Sequence, residues 1–274
     1  MSLIGTHVKS DYKDLINGAK IVHQNGGNLI QIFANKFSKI ATEEYEKLGS
    51  YLKQANMKCV IHASYTINLA QNWDYHSWWL KQFLLEIKIA ELIGAVCIVV
   101  HLGKQLNIET AVATNNMYTS LIYILSKSSS SNIRILLETS AGQGSEMFFN
   151  LDELGTFIKK FSSTQFADRI GICIDTCHIF SAGYDIRGKT NIVKFIEKLN
   201  STVGINVVKL VHLNDSSNDF NARIDRHANF GKGYIGSESI ITIAKFFNKL
   251  NIPLVLETPT ESMYDDLIIL KKSL

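Results

Sequence analysis

Nine side chains of this chain form a set of candidate ligands for catalytic metals: His62, His101, His178, His212 and His227, with Glu138, Asp175, Asp225 and Glu257. Imidazole nitrogen and carboxylate oxygen suit zinc, with manganese or iron as competitors. With no cysteine among them, the set reads as an open catalytic site rather than a closed structural one. Nine ligands exceed what one ion can use. At three protein ligands per open tetrahedral ion, with one or two carboxylates bridging, the count favours a cluster of two or three ions. Such a cluster suits phosphodiester hydrolysis, because it can deprotonate a water, neutralise the anionic phosphate and stabilise the leaving oxygen.

The positions of these residues say what must hold them. Apolar runs end in a single metal-capable side chain at His7, His62, His101, Glu138, Asp175, His212 and Glu257. A run buried on both faces reads as a parallel strand, and its carboxyl end is where parallel α/β folds do chemistry. The spans 3–7, 29–34, 59–62, 96–101, 133–138, 170–175, 207–212 and 253–257 predict eight strands. Amphipathic stretches lie between them, such as 78–93 and 238–250, each long enough for a right-handed crossover helix. Thr42 and Ser237 read as helix-start signals. Eight βα units predict a closed (β/α)8 TIM barrel occupying residues 1–274 as one domain.

Two connections add to the site. The stretch 214–236 is much longer than a median βα loop and carries Arg223-Ile224-Asp225-Arg226-His227 and Gly231-Lys232-Gly233. Asp225 and His227, two apart in extended chain, point the same way and can hold one metal while Arg226 faces elsewhere. Asp175 and His178 face the mouth from a strand-to-helix turn, although their ligands need not go to the same ion.

Bulk properties agree. The 274 residues are close to the roughly 250 typical of such a barrel, and 46% hydrophobic content can fill its core. A net charge of +3 is compatible with a phosphate-bearing partner but too small to imply one. Cys59, Cys97, Cys173 and Cys177 lie in or beside apolar runs and read as buried thiols, not a disulfide or thiolate site. The amino terminus lacks a signal-peptide pattern, and no run spans a bilayer. A soluble intracellular protein is expected.

A lone buried histidine is ordinarily a core residue. Independent core histidines have no reason to gather at the same end of successive strands, and isolated buried carboxylates cost several kcal/mol unless paired or metal-bound. His7 reads as a donor orienting a ligand from behind, His23 and His76 as surface or structural residues. The Gln143-Gly144 step reads as a turn that lets backbone approach phosphate. Trp73, Trp78 and Trp79 read as packing residues. Tyr65, three residues after His62, could stack on bases or wedge into an opened duplex.

The segments IGTHV, QIFANK, HASYTINL, VVHLGK, LLETSAGQGS, RIGICIDTCHIFSAGYDIR, HLNDS, RIDRHANFGKGYIG and PLVLETP carry a resemblance over nearly the whole chain. In that order, it resembles the endonuclease IV family, the zinc-dependent apurinic/apyrimidinic endonucleases of base-excision repair. The resemblance implies three zinc ions. His62 and His101 would hold one, with Glu138 bridging to a second that Asp175, His212 and Glu257 complete; His178, Asp225 and His227 would hold the third. It further implies cleavage 5′ to an abasic site, leaving a 3′-hydroxyl and a 5′-deoxyribose phosphate, and trimming of blocked 3′ ends. Glu138 would orient the attacking hydroxide, with Glu257 beside it.

The resemblance also implies a partner: double-stranded DNA bent at the lesion, met by a monomer. Tyr65 matches the family's inserted wedge, Thr66 stands where the wedge is usually apolar, and Asn35 and Lys36 occupy a loop that is usually longer and basic. Leu102 replaces the usual proline after the histidine, and Lys104 would be a phosphate contact, joined on the DNA face by Arg226 and Lys232. The compartment would be cytoplasmic in a bacterium, and nuclear or a viral replication site otherwise. The competing readings are a divalent-metal sugar isomerase or epimerase, which lacks the Asp225-Arg226-His227 loop, and a catalytically dead DNA-binding barrel.

Overall fold

The computed structural model describes residues 2–9, 11–34, 36–259 and 262–274. Ten strands occur in chain order: β1 Ile4–His7, β2 Leu29–Phe33, β3 Lys58–His62, β4 Cys97–His101, β5 Arg134–Glu138, β6 Ile170–Asp175, β7 Val208–His212, β8 Asp215–Ser216, β9 His227–Ala228 and β10 Leu254–Leu256. All but β8 and β9 close into one parallel barrel, ordered β1-β10-β7-β6-β5-β4-β3-β2. The eight expected strands are therefore all present, with ends moved by a residue or two where runs fray into loops.

Helices cover the barrel's outside: α1 Leu15–Gln24, α2 Lys39–Gln54, α3 Trp78–Ile93, α4 Thr110–Lys127, α5 Leu151–Lys159, α6 Thr176–Ser181, α7 Gly188–Thr202, α8 Ser237–Lys249 and α9 Met263–Ser273. None is long and apolar enough to cross a membrane, among the described residues. The start expected at Thr42 is displaced. Ser38 caps α2, its hydroxyl accepting from Ala41 N at 3.1 Å, while Thr42 lies inside and bonds back to the Ser38 carbonyl. Ser237 is the first residue of α8, preceded by Gly236. Of the three tryptophans, Trp79 is buried, Trp73 is half-buried and Trp78 is 56% exposed. Adjacent helical residues diverge by about 100°, so Trp78 cannot share the inward face of Trp79.

Two separate apolar clusters explain how the strands aim their side chains. One fills the space between strands and helices; the other, Leu29, Val60, Cys97, Val99, Leu136, Cys173, Leu210 and Val255, is distinct from it. The second set sits two residues before Gln31, His62, His101, Glu138, Asp175, His212 and Glu257, or four before in the case of Cys97. Because side chains alternate along a strand, a residue two positions on from a barrel-filling side chain points to the same face, one layer nearer the mouth. The period-two pattern thus delivers the polar residues together as the top layer of the barrel. All four cysteines are buried free thiols.

Strand register completes the alignment. His101 pairs with Glu138 across β4 and β5, and Asp175 pairs with His212 across β6 and β7. The latter pairing follows a register shift between Ile172 and Cys173, a bulge of the kind that re-aims side chains near active sites.

The long stretch after β7 is organised from below. β8 and β9 pair as a small antiparallel hairpin, with Ser216 opposite His227. Asp215, wholly buried, accepts backbone N–H bonds from Ser216, Gly233 and Ile235 at 2.8, 3.0 and 2.9 Å. Gly233 permits this approach, since a Cβ there would collide with the Ser216 carbonyl and the Asp215 carboxylate.

Candidate metal centre

The nine candidate residues converge at the barrel mouth. Glu138, at the end of β5, is the centre of the arrangement. One oxygen, Oε2, lies 3.0 Å from His101 Nε2 and 3.3 Å from His62 Nε2; the other, Oε1, lies 2.7 Å from His212 Nδ1. His212 Nδ1 is also 3.2 Å from Glu257 Oε2 and 3.9 Å from Asp175 Oδ2. Asp175 does two jobs: Oδ1 caps α6 by accepting His178 N at 3.0 Å, and Oδ2 faces the site. That cap is the local reason for the three-residue spacing of Asp175 and His178.

A further group forms beside these. His178 Nε2 and His227 Nε2 lie 3.1 and 3.3 Å from Asp225 Oδ1. Asp225 is held there by Gln143, whose Oε1 accepts the Asp225 backbone N–H at 2.8 Å. Gln143 therefore serves the site through its side chain, beside a neighbouring glycine in the left-handed region at φ 61°.

Donor atoms within 4.8 Å of one another fall into His62-His101-Glu138, Glu138-Asp175-His212-Glu257 and His178-Asp225-His227. A fourth grouping, Asp175-Cys177-His227, overlaps these. Burial pushes the Cys177 thiol up to about 12, and its Sγ sits 3.6 Å from the Arg226 carbonyl, so it stands as a protonated buried thiol.

The donor chemistry fits metal ions. His178 Nε2 is buried and makes no aligned hydrogen bond, although Asp225 Oδ1 is only 3.1 Å away. Close contact without hydrogen-bond alignment is how two ligands of one ion face each other. The electrostatics of the bare protein tell the same story. Burial opposes ionisation of Glu138, but His101 and His212 outweigh it and hold the carboxyl well below its ordinary range. Burial likewise opposes charge on His227, yet Asp225 and the other carboxylates raise it to about 9; Glu257 is held down to about 2 against burial, chiefly by His212. Opposite charges this deeply buried must pair with each other or with ions.

Two imidazoles are oriented by backbone. His62 Nδ1 lies 2.7 Å from the Ala63 carbonyl and His178 Nδ1 2.7 Å from that of Thr139, which leaves each Nε2 facing the site. Asn214 supports two carboxylates, donating to Asp175 Oδ2 at 2.7 Å and Glu257 Oε2 at 3.1 Å. Neither Asn214 nor Gln31 was legible as a site residue from strand ends. For Gln31 the signal lay in its phase, a polar residue inside the apolar strand LIQIF.

His7 differs from its expected role as a donor to a ligand. Its Nδ1 is 3.8 Å from Glu257 Oε1, beyond hydrogen bonding, and instead accepts from Gln31 at 3.0 Å. Burial drives its pKa down to about 3, so it stands neutral, one step behind the ligands. His23 and His76 are exposed, as expected.

The rim holds most of the candidate DNA contacts. Tyr65 is 74% exposed and meets Phe33 edge-on at 5.6 Å, and Phe33 in turn lies against His62. Thr66 is exposed, with its hydroxyl 2.8 Å from that of Ser64. Lys36, Arg226 and Lys232 are exposed, and Lys104 lies 3.5 Å from Glu146. Asn35 lies outside the described residues.

The family model for xylose isomerase-like TIM barrels matches residues 19–273, and the chain belongs to that class. A probable endonuclease 4 of Mesomycoplasma hyopneumoniae strain J is 36% identical over 285 residues, covering 98% of both chains. A putative endonuclease 4 of Acanthamoeba polyphaga mimivirus is 30% identical over 272 residues, covering 95% of this chain and 86% of its own. Within the class, the chain is a member of the endonuclease IV family. The barrel superposes on endonuclease IV from Thermus thermophilus with a TM-score of 0.81 at 24% identity, covering 99% of this chain and 98% of that one. It also superposes on a D-tagatose 3-epimerase-like protein with a TM-score of 0.76 at 17% identity, covering 100% and 97%, so the fold alone does not choose between nuclease and sugar chemistry.

Proposed function

We propose that this protein hydrolyses the phosphodiester 5′ to an abasic site in double-stranded DNA, leaving a 3′-hydroxyl and a 5′-deoxyribose phosphate, and also trims blocked 3′ ends. Three zinc ions would serve it, held by His62, His101 and Glu138; by Glu138, Asp175, His212 and Glu257; and by His178, Asp225 and His227. The observation that carries this reading is the third donor group, His178-Asp225-His227, beside two groups that share Glu138. Identity of 36% and 30% to endonuclease 4 proteins supports it.

When bound, such ions lower the pKa of a water, offset phosphate charge and stabilise a departing oxygen. The chain's own residues supply position. Glu138, with an oxygen toward each of two groups, orients the attacking water, and Glu257 lies on the same side through His212. Tyr65, exposed above Phe33, occupies the gap left by a nucleotide turned out of the stack. Lys36, Lys104, Arg226 and Lys232 meet phosphates around the mouth. Thr66 flanks the opened duplex and brings a hydroxyl already turned toward Ser64.

The direct test is a duplex carrying one tetrahydrofuran abasic analogue. Incision should give a 3′ end that a DNA polymerase extends without further processing. An intact strand, or a 3′ end that cannot be extended, would overturn the proposal.

A further inference from the structure

Gln31 lies in the middle of β2, wholly buried, on the inward phase between Leu29 and Phe33. A polar side chain inside a parallel strand is tolerated when its hydrogen-bonding atoms are satisfied, and those of Gln31 all are. Oε1 lies 2.9 Å from His212 Nε2. Nε2 donates to Glu257 Oε1 at 2.6 Å and to His7 Nδ1 at 3.0 Å. The amide can face only one way: reversed, its oxygen would press against the Glu257 carboxylate.

That orientation determines the tautomer of His212. With a carbonyl oxygen at Nε2, this nitrogen keeps its hydrogen, so a His212 that gives up a proton to bind an ion bares its lone pair at Nδ1. Nδ1 is the atom 2.7 Å from Glu138 and 3.2 Å from Glu257. His62 and His178 show the opposite arrangement, with Nδ1 against a backbone carbonyl and Nε2 facing the site. A backbone carbonyl sets those two rings, whereas a side chain sets His212. The same amide holds one oxygen of Glu257 and leaves Oε2 to face His212 and Asn214.

We propose that Gln31 is a positioning residue of the metal centre, fixing His212 as an Nδ1 ligand and Glu257 as an Oε2 ligand of one ion; this rests on the metal-centre reading above. Gln31 itself touches no substrate. It acts through the two ligands, and His7 accepts its remaining hydrogen.

The test uses the zinc-loaded full chain as wild type, Q31M and Q31E. The readouts are imidazole ¹⁵N shifts assigned to His212 and zinc release to a competing chelator. Wild type should show His212 metal-bound at Nδ1 and protonated at Nε2. Q31M, of similar length but without donor or acceptor, should lose that signature and release one zinc per chain about 10- to 100-fold more readily. Q31E should separate the two effects: its carboxylate still accepts from His212, so the signature stays, but it cannot donate to Glu257, so release still quickens. Either variant matching wild type in zinc release, or Q31M keeping the His212 signature, would overturn the inference. If Q31M fails to fold, Q31E alone decides it through release. A wild-type chain that binds no zinc would instead overturn the metal-centre reading itself.

Discussion

His178 Nε2 and Asp225 Oδ1 stand 3.1 Å apart without the alignment of a hydrogen bond. One residue comes from α6, directly after β6, and the other from the long stretch after β7. Their meeting turns a shared two-group mouth into a three-group one. Asp225→Ala should therefore remove about one of three zinc equivalents and strongly reduce incision, with the fold retained. Elemental analysis of the purified variant checks this. Unchanged metal content would remove Asp225 from the metal centre.

Glu138→Gln should lower incision by on the order of 10²- to 10⁴-fold, the scale of removing a positioned catalytic base. Binding to duplex with an abasic analogue, followed by fluorescence anisotropy, should persist, because the cationic rim is unchanged. Simultaneous loss of binding and metal would indicate that Glu138 holds the centre together rather than orienting a water.

Tyr65 depends on little besides Phe33, so its truncation should leave stability almost untouched. If the ring stacks on bases, Tyr65→Ala should reduce discrimination between abasic and intact duplex by about 1 to 3 kcal/mol. Competition binding measures it. Equal discrimination in variant and wild type would return Tyr65 to packing against Phe33.

Metal-free protein should show a distinctive dependence on pH. His227, raised from 6.5 to about 9 in the folded chain, contributes stability that is full below pH 6.5 and fades as pH rises to about 9. Glu257, lowered from 4.5 to about 2, contributes above pH 4.5 and fades as pH falls toward 2. Thermal denaturation of the stripped protein should give the highest Tm between these limits and a decline from pH 6.5 to 9. Zinc-loaded protein should gain relative to it over the same rise, since zinc replaces the imidazole protons. A stripped protein that grows more stable from pH 6.5 to 9 would contradict the pairing of His227 with its carboxylates.

Much of this site was legible because a barrel strand repeats with period two and ends at the mouth. His62, His101, Glu138, Asp175 and His212 each close a strand, and Glu257 follows one immediately. Asp225 and His227 were legible from their own spacing. Gln31 and Asn214 were not, because a side-chain amide reveals its role only through partners far away in sequence, 181 residues in the case of Gln31 and His212. The start of α2 at Ser38 was missed because Thr42 has the same capping chemistry one turn later. Asp215 was hidden for a related reason: its backbone partners in residues 233–236 come near only once the hairpin of β8 and β9 has formed.

On the proposed function, incision depends on zinc held by these nine side chains. Stripping the purified protein completely with a strong chelator, verified by elemental analysis, and assaying a tetrahydrofuran-containing duplex before and after adding zinc tests it most directly. About three zinc equivalents per chain at the start, loss of incision on stripping and its return with zinc are the results predicted. Incision that continues after the last zinc has been removed would show that the reaction does not depend on zinc.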